Sequence, residues 1–171
     1  MIKISKCWAM PNAATFSVKP IEDFVRRYVR DGMVVVDPFA GASKFGTITN
    51  DLDGDAPTDC HTDALDFLRS IETGAADAVL FDPPYSPRQA SECYKRNGRE
   101  LLTAKVTNWA YWRQCKDEIA RIVKHGGYVL SFGWSTNGCG NSRGFEQIEI
   151  LIVSHGGGHN DTLCLAEKKT S

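Results

Sequence analysis

The sequence lacks the features that define several classes of protein. Its six cysteines include no Cys-x-x-Cys pair, which argues against a zinc ribbon, a redox motif and a disulfide framework. Residues 1–6 lack the apolar core of a secretory signal, so we expect a cytoplasmic protein. Hydrophobic residues make up 42% and charged residues 24%, values that indicate neither a membrane protein nor disorder. Without linkers or repeats, the 171 residues suit one domain.

The overall charge gives little indication of a nucleic-acid partner. The formal net charge is −1 at pH 7, whereas phosphate binding normally uses a cluster of lysines and arginines. Residues 86–105 are a local exception, because five basic residues stand there against two glutamates. The basic residues are Arg88, Lys95, Arg96, Arg99 and Lys105. They indicate a phosphate-binding segment, with an ordinary solvated loop as the alternative.

A β-branched run, Val34–Val36, is followed by Asp37, a proline and a series of small residues. This pattern predicts a first strand that ends in a tight turn. Ligands bind at the carboxyl ends of strands in open parallel sheets, and small residues let a ligand approach the backbone closely. The dinucleotide fingerprint G-x-G-x-x-G is absent, because no second spaced glycine follows Gly41. A nucleoside-bearing cofactor therefore fits better than the dinucleotide of a dehydrogenase.

The motif Asp82-Pro83-Pro84-Tyr85 directly follows the apolar run 78–81, which predicts that it lies at the carboxyl end of a buried strand. Two prolines hold the chain extended, so the Asp82 carboxylate and the Pro83 carbonyl remain as acceptors beside an aromatic ring. These groups suit a planar ligand that bears an NH2, such as a nucleobase stacked on Tyr85. We expect the ring of Tyr85, and not its hydroxyl, to matter. A proline-terminated strand with a surface tyrosine is the alternative.

The rest of the chain alternates between helical and strand patterns. Apolar spacing predicts helices over 21–29, from 62 or 63 to about 74, and over 109–124, with the aromatic residues of the last helix in the core. Further strands are predicted at 47–50, 78–81, 128–132, 148–153 and 162–166. Asp51, and after it Asp53, is the candidate carboxylate for ribose hydroxyls, with a charged turn as the alternative. The loop 155–161 contains two histidines, but its three glycines favour a hairpin over a metal site.

The two motifs together, Asp37-Pro38-Phe39-Ala40-Gly41 and Asp82-Pro83-Pro84-Tyr85, resemble those of the amino-group DNA methyltransferases, and small phage-encoded adenine methyltransferases above all. The segment 16–21 is similar to the motif that precedes the first strand in this family, so the resemblance extends over nearly the whole chain. It implies S-adenosylmethionine as the cofactor. It also implies a Rossmann-like class I α/β fold, with a mostly parallel seven-stranded sheet, an antiparallel closing strand and helices on both faces.

The resemblance further implies which residues act. Asp82, Pro83, Pro84 and Tyr85 are the catalytic candidates. Asp63 would accept the adenine amino group of the cofactor, with helix capping as the alternative. The implied cofactor-binding residues are Phe16, Lys19, Asp37, Phe39, Ala40, Gly41, Asp51, Asp63 and Ala64. Ser43 stands where the family usually has the second glycine of its cofactor loop.

The sequence therefore predicts methyl transfer to the exocyclic amino group of a DNA base, adenine N6, that is single-stranded or flipped out of a duplex. We expect a single catalytic domain, 1–171, with a substrate-contacting insertion at 86–108 and no target-recognition domain. Specificity would then come from the insertion, a second subunit or an accessory partner. Methylation of cytosine carbon 5 is disfavoured because no Pro-Cys pair is present. The alternatives are a methyltransferase for RNA guanine or adenine amino groups and a non-catalytic nucleoside- or nucleic-acid-binding domain.

Overall fold

A computed structural model describes residues 1–98 and 108–171 of the chain. Its strands are β1 (Lys3–Trp8), β2 (Val35–Asp37), β3 (Ile48–Thr49), β4 (Ala76–Phe81), β5 (Val123–Gly133), β6 (Phe145–Ser154) and β7 (Thr162–Lys169). Its α-helices are α1 (Lys19–Tyr28), α2 (Ala64–Ser70), α3 (Pro87–Arg96) and α4 (Trp109–Ile122). Within the described ranges, none of the helices has the length and apolarity of a membrane span.

The seven strands form one sheet in the order β1-β6-β7-β5-β4-β2-β3. Strand β7 is antiparallel to both of its neighbours, and the other strand pairs are parallel. This arrangement confirms the predicted fold class, a mostly parallel seven-stranded sheet with an antiparallel closing strand. The edge strand β1 was not predicted. Its side chains are exposed or only half-buried, so the sequence shows no clear alternation there.

Helices cover both faces of the sheet, as predicted. Along β4, Val79 and Phe81 pack into a core shared with α2, α3 and α4. The residues that alternate with them, Ala78 and Leu80, pack into a second core on the side of α1. Side chains of a strand point alternately to its two faces, so an uninterrupted apolar run is what a strand buried on both faces requires.

The boundary between α4 and β5 differs most from the sequence prediction. Helix α4 ends at Ile122, and the two following glycines lie inside β5 and not at a helix end. The pairing of β4 with β5 jumps there, because Val123 is opposite Ala76 and Tyr128 is opposite Ala78. Gly127 lies so close to the neighbouring strand that a Cβ atom would be 2.8 Å from the Asp77 carbonyl oxygen. These glycines therefore serve a bulge in the strand.

Candidate active site

The two sequence motifs meet at one edge of the sheet. Strands β2 and β4 are parallel neighbours, with Val36 opposite Val79. Asp37 ends β2, and Asp82 directly follows β4. The carboxyl ends of the two strands therefore bring both motifs together, at the edge where open α/β sheets bind their ligands.

Two cavities lie at this edge and share a wall. The first cavity has a volume of about 400 Å³ and reaches from Asp82 to α2 and α3. The second cavity, about 620 Å³, reaches from Asp82 along the bend that follows β2, where Ala40 and Gly41 line it. The shared wall consists of Ala13, Thr15, Phe39, Asp51 and Asp82. Space therefore connects the second motif to the glycine bend.

Asp51 holds the glycine bend in place. Its Oδ2 accepts a hydrogen bond from the backbone N–H of Gly41 at 2.9 Å, and its Oδ1 accepts one from that of Asp53 at 2.9 Å. Gly41 has a φ of +51°, a conformation that glycine adopts without strain. Asp51 lines both cavities, whereas Asp53 is exposed and lines neither. Of the two carboxylates proposed for the ribose hydroxyls, Asp51 therefore lies at the cavities and Asp53 does not.

Asp37 is fully buried at the end of β2, and one of its oxygens lacks a partner. Its Oδ1 accepts a hydrogen bond from the Phe39 N–H at 3.2 Å, but Oδ2 is paired with no group in the part of the chain that the structure describes. Burial raises the pKa of this carboxyl to about 8, against the opposing effect of the Phe39 hydrogen bond. A cationic ligand group at this oxygen would supply the missing partner and lower the pKa. The charge of this oxygen fits a cofactor that carries an ammonium group, although Asp37 itself lines neither cavity and its neighbours Pro38 and Phe39 are the residues that line the first one.

The catalytic motif contains a hydrogen bond that the sequence analysis did not foresee. The Tyr85 hydroxyl donates to Asp82 Oδ1 at 2.7 Å. Burial raises the pKa of Asp82, and the hydroxyl groups of Thr15 and Tyr85 oppose that rise. Burial also raises the pKa of Tyr85, so this hydroxyl stays protonated and remains a donor. The sequence signal for this hydrogen bond was the spacing of three residues between Asp82 and Tyr85.

A third cavity, about 220 Å³, lies on the other side of the catalytic motif. Pro83, Pro84 and Tyr85 line both it and the first cavity, so the motif forms the wall between them. The Tyr85 ring packs edge-on against Trp134, with ring centroids 5.8 Å apart. The other aromatic residues that line the third cavity are Phe81, Trp109, Trp112 and Phe132. An aromatic cavity beside exposed acceptors has the composition of a nucleobase site.

The prediction that the aromatic residues of α4 belong to the core is wrong for Trp109. Trp109 is the first residue of α4, lines the third cavity and is 81% exposed. Trp112 is half-buried and packs against Phe39 and Phe81 while also lining that cavity. Helical spacing identifies a shared face, but it does not show where that face leaves the core.

Asp63 does not reach the cavities. It caps α2, its Oδ1 accepting from the Leu65 N–H at 3.1 Å. The Tyr111 hydroxyl also donates to Oδ1, at 3.0 Å, and the Tyr94 hydroxyl donates to Oδ2 at 2.7 Å. Its neighbours in the chain line the first cavity, including Ala64. The geometry supports the capping alternative for Asp63 and gives no support to a contact with the cofactor.

The two predicted cofactor-binding residues of the segment 16–21, which lies between β1 and β2, differ in their positions. Phe16 lines the second cavity and packs edge-on against Phe132, with ring centroids 5.0 Å apart. Lys19 lies in the first turn of α1, is 71% exposed and forms an ion pair with Asp23 at 2.6 Å. It lines neither the first nor the second cavity. Its assignment to the cofactor is therefore not supported by its position.

Helix α3 covers the first cavity and carries three of the predicted basic residues on its outside. Arg88, Lys95 and Arg96 are exposed, and Arg88 pairs with Glu92 at 2.8 Å. Gln89, Cys93 and Tyr94 of the same helix line the first cavity and were not predicted as site residues. Arg99 and Lys105 lie outside the described residues. The helix thus connects the cavity with a basic outer surface.

Several solved structures with a similar fold are methyltransferases. TrmN from Thermus thermophilus is 18% identical, with a TM-score of 0.55, over 89% of this chain and 49% of that one. A 1,6-didemethyltoxoflavin-N1-methyltransferase from Burkholderia thailandensis, solved with S-adenosylhomocysteine, is 11% identical, with a TM-score of 0.60, over 93% and 79% of the two chains. A SAM-dependent methyltransferase from Archaeoglobus fulgidus is 10% identical, with a TM-score of 0.62, over 88% and 94%. No protein-family model and no curated protein matches the sequence.

These similarities, all at low identity, establish the fold. The chain has the Rossmann-like fold of the class I S-adenosylmethionine-dependent methyltransferases. It spans about half the length of the TrmN chain. The reaction and the substrate are matters for the site itself, because one fold serves many functions.

Proposed function

We propose that the protein transfers a methyl group from S-adenosylmethionine to the exocyclic amino group of a DNA base, adenine N6. One observation carries this proposal. Pro83, Pro84 and Tyr85 line both the aromatic cavity and the first cavity, and Asp82 lines the first and second cavities, which continue to the glycine bend. The motif is therefore the place where a base and a methyl donor would meet. The methyltransferase neighbours support methyl transfer in general.

The residues around the first and second cavities fit the proposed cofactor. Asp37 offers its unpaired oxygen to the ammonium group, and Asp51 is placed for the ribose hydroxyls beside the bend at Gly41. When bound, S-adenosylmethionine supplies an electrophilic methyl group on a sulfonium. Lys19 and Asp63 are not part of this set, because Lys19 forms an exposed ion pair with Asp23 and both oxygens of Asp63 accept hydrogen bonds from other residues.

The catalytic motif acts on the nucleophile. The lone pair of an aromatic amino group is delocalised into the ring, which makes the nitrogen a weak nucleophile. Asp82 and the Pro83 carbonyl would accept hydrogen bonds from the two amino hydrogens and localise this lone pair on the nitrogen. The proton that the nitrogen loses as it gains the methyl group would pass to Asp82 and then to solvent. Correct alignment supplies the larger share of the rate increase, up to about 7–11 kcal/mol in well-oriented systems. Asp82 adds a smaller, local contribution.

The third cavity receives the base. A base inside a duplex has to be flipped out, at a cost of a few kcal/mol. Stacking in the aromatic cavity, worth about 1–3 kcal/mol per base, offsets part of that cost. Arg88, Lys95 and Arg96 on the outside of α3, together with Arg99 and Lys105 in the insertion at 86–108, would contact the phosphates. A second subunit or an accessory partner remains the proposed source of further specificity.

The experiment that tests the function is digestion of treated nucleic acid to nucleosides followed by mass detection. Duplex DNA, single-stranded DNA and ribosomal RNA are incubated with the protein and S-adenosylmethionine, and Asp82→Asn serves as the control. We expect N6-methyladenine from DNA only. Methylated guanine or adenine from RNA would favour the RNA alternative. Calorimetry that detects no binding of S-adenosylmethionine would favour the non-catalytic alternative.

Tyr85→Phe is expected to shift the pH dependence of methyl transfer. The hydroxyl of Tyr85 lowers the pKa of Asp82 by donating to its carboxylate. Asp82 is proposed to act as the ionised carboxylate that accepts one of the amino hydrogens, so activity is lost as the pH falls through that pKa. Without the hydroxyl this pKa rises further, and the loss begins at a higher pH. Rates measured across the acidic limb test this, and coincident profiles for Phe and Tyr would contradict it.

Tyr85→Ala provides the comparison. It removes both the hydroxyl and the ring, so it should also weaken capture of the base by up to the 1–3 kcal/mol of one stacking contact. The expected order of kcat/KM at neutral pH is Tyr, then Phe, then Ala. Equal activity of the Phe and Ala variants would mean that the ring contributes nothing.

A further inference from the structure

One residue that lines the third cavity has a polar atom without a hydrogen-bond partner among the described residues. Ser131 lies in β5 directly opposite Phe81, at the carboxyl end of β4, and lines this cavity. Its Oγ is completely buried and has no hydrogen-bond partner among the described residues. Buried hydroxyl groups in folded proteins are nearly always paired, because an unpaired one destabilises the fold. The exception therefore needs an explanation.

The position of Ser131 in the strand fixes the side to which it points. Its neighbours Leu130 and Phe132 pack into the core on the side of α1. Val129, two residues earlier, packs into the opposite core, which includes α4. Because successive side chains alternate across a sheet, Ser131 faces α4. Trp112 of that helix lines the same cavity.

The lysine that lines the third cavity already has a partner. Lys116 of α4 donates through Nζ to the Asn137 carbonyl oxygen at 2.6 Å. Burial lowers the pKa of this lysine. Ser131, by contrast, has a hydroxyl hydrogen and lone pairs without a partner among the described residues, in a cavity that aromatic side chains line together with Ser86, Ser135 and Asn137. A ligand that enters the cavity is the group that can pair with it.

The proposed reaction restricts what that ligand atom can be. In adenine, the amino group is flanked by ring nitrogens N1 and N7, and both are acceptors. In cytosine, an acceptor nitrogen lies on one side and a carbon-bound hydrogen on the other. In guanine, one neighbouring ring nitrogen is a donor. A hydroxyl donor beside the amino group therefore finds an acceptor on either side only in adenine.

We propose that Ser131 is a specificity-determining residue whose hydroxyl donates a hydrogen bond to a ring nitrogen next to the amino group held by Asp82. This inference rests on the proposed function and extends it from the reacting amino group to the ring that bears it. A site that is built to hydrogen-bond its substrate discriminates strongly, because an analogue without the matching atom leaves the buried group unpaired. Cytosine and guanine each carry an acceptor nitrogen on only one side of the amino group, so the hydroxyl discriminates against them when it lies on the other side.

The test pairs one protein group with one ligand atom. Wild-type protein and Ser131→Ala are assayed on oligonucleotides that carry adenine, 1-deazaadenine or 7-deazaadenine at the methylated position. Wild type should lose about tenfold in kcat/KM on one of the two analogues, the loss expected for one hydrogen bond. Ser131→Ala should lose about tenfold on adenine and should not discriminate against that analogue. Equal sensitivity of both proteins to both analogues overturns the inference.

Stability provides the readout that separates recognition from structure. Because the hydroxyl has no partner within the described chain, Ser131→Ala should have the same melting temperature as wild type or a higher one. A lower melting temperature, with a rate loss that is the same on all three bases, would indicate a structural role and overturn the inference. The control Ser142→Ala removes an exposed hydroxyl that lines none of the three cavities. It should keep the wild-type preference among adenine and its two analogues.

The outcomes also distinguish this inference from the proposed function. Methylation of adenine by wild type without any coupling to Ser131 overturns the inference and leaves the function in place. If wild type methylates none of the three bases, both fail. If wild type methylates adenine and Ser131→Ala loses the discrimination against 1-deazaadenine or 7-deazaadenine, the result supports both the function and the inference. The analogue concerned then identifies which edge of the ring faces β5.

Discussion

Asp82→Asn is expected to lower the rate of methyl transfer by about a hundred- to a thousandfold, the loss typical of removing one polarising group from an active site. Asparagine keeps the size of the side chain and one acceptor, but it replaces the second acceptor by a donor and removes the negative charge. The lone pair of the amino group then stays delocalised into the ring. The measurement is single-turnover transfer of a labelled methyl group from S-adenosylmethionine to DNA.

Cofactor binding should change far less than turnover in this variant. Asp82 is proposed to contact the base, whereas Asp37 and Asp51 are proposed to contact the cofactor. A loss confined to kcat is the mark of an interaction made in the transition state. Asp66→Asn is the matched control, because Asp66 is an exposed carboxylate of α2 that lines none of the three cavities. A wild-type rate for Asp82→Asn would remove the catalytic role from this motif.

The sequence was sufficient to predict where the two motifs meet. Asp37 and Asp82 each follow an apolar run, and a parallel sheet places the ends of such runs at one edge. No detail of side-chain packing was needed for that step. The prediction of a mostly parallel seven-stranded sheet with an antiparallel closing strand, which the structure confirms, came from the family resemblance.

Roles that depend on distant side chains could not be predicted in this way. Asp63 reads equally well as a helix cap or as a ligand group, and the choice is made by Tyr94 and Tyr111, which are 31 and 48 residues away in the chain. The unpaired hydroxyl of Ser131 is likewise a property of the packed structure. Local patterns identify candidate residues, whereas burial and partners decide among their roles.

The buried carboxyl of Asp37 makes the protein less stable as the pH rises, and Asp37→Asn is expected to remove that effect. Burial raises its pKa from 3.8 to about 8. The unfolded chain loses this proton near the lower value, and the folded chain keeps it until near the higher one. Between them unfolding releases a proton, so the free energy of unfolding falls with rising pH. Asparagine does not ionise and keeps the acceptor for the Phe39 N–H.

Chemical denaturation of both proteins without cofactor, from about pH 5 to about pH 9, measures the difference. The variant should be more stable by about 1–3 kcal/mol at the alkaline end, less than the pKa shift alone implies, because its amide hydrogens also lack a partner. The difference should be smallest at the acidic end and should close below about pH 4, near the unfolded pKa of 3.8. Asp31→Asn, at an exposed position, is the control.

The same substitution should weaken the binding of S-adenosylmethionine, because the anionic partner proposed for its ammonium group is lost. A gain in stability combined with a loss of affinity is the trade-off expected where a site keeps a strained group for its ligand. Denaturation curves that stay parallel over the whole pH range would mean that Asp37 is already paired in the folded protein. The carboxylate would then have no unpaired oxygen to offer, and the proposed position of the cofactor's ammonium group would be wrong.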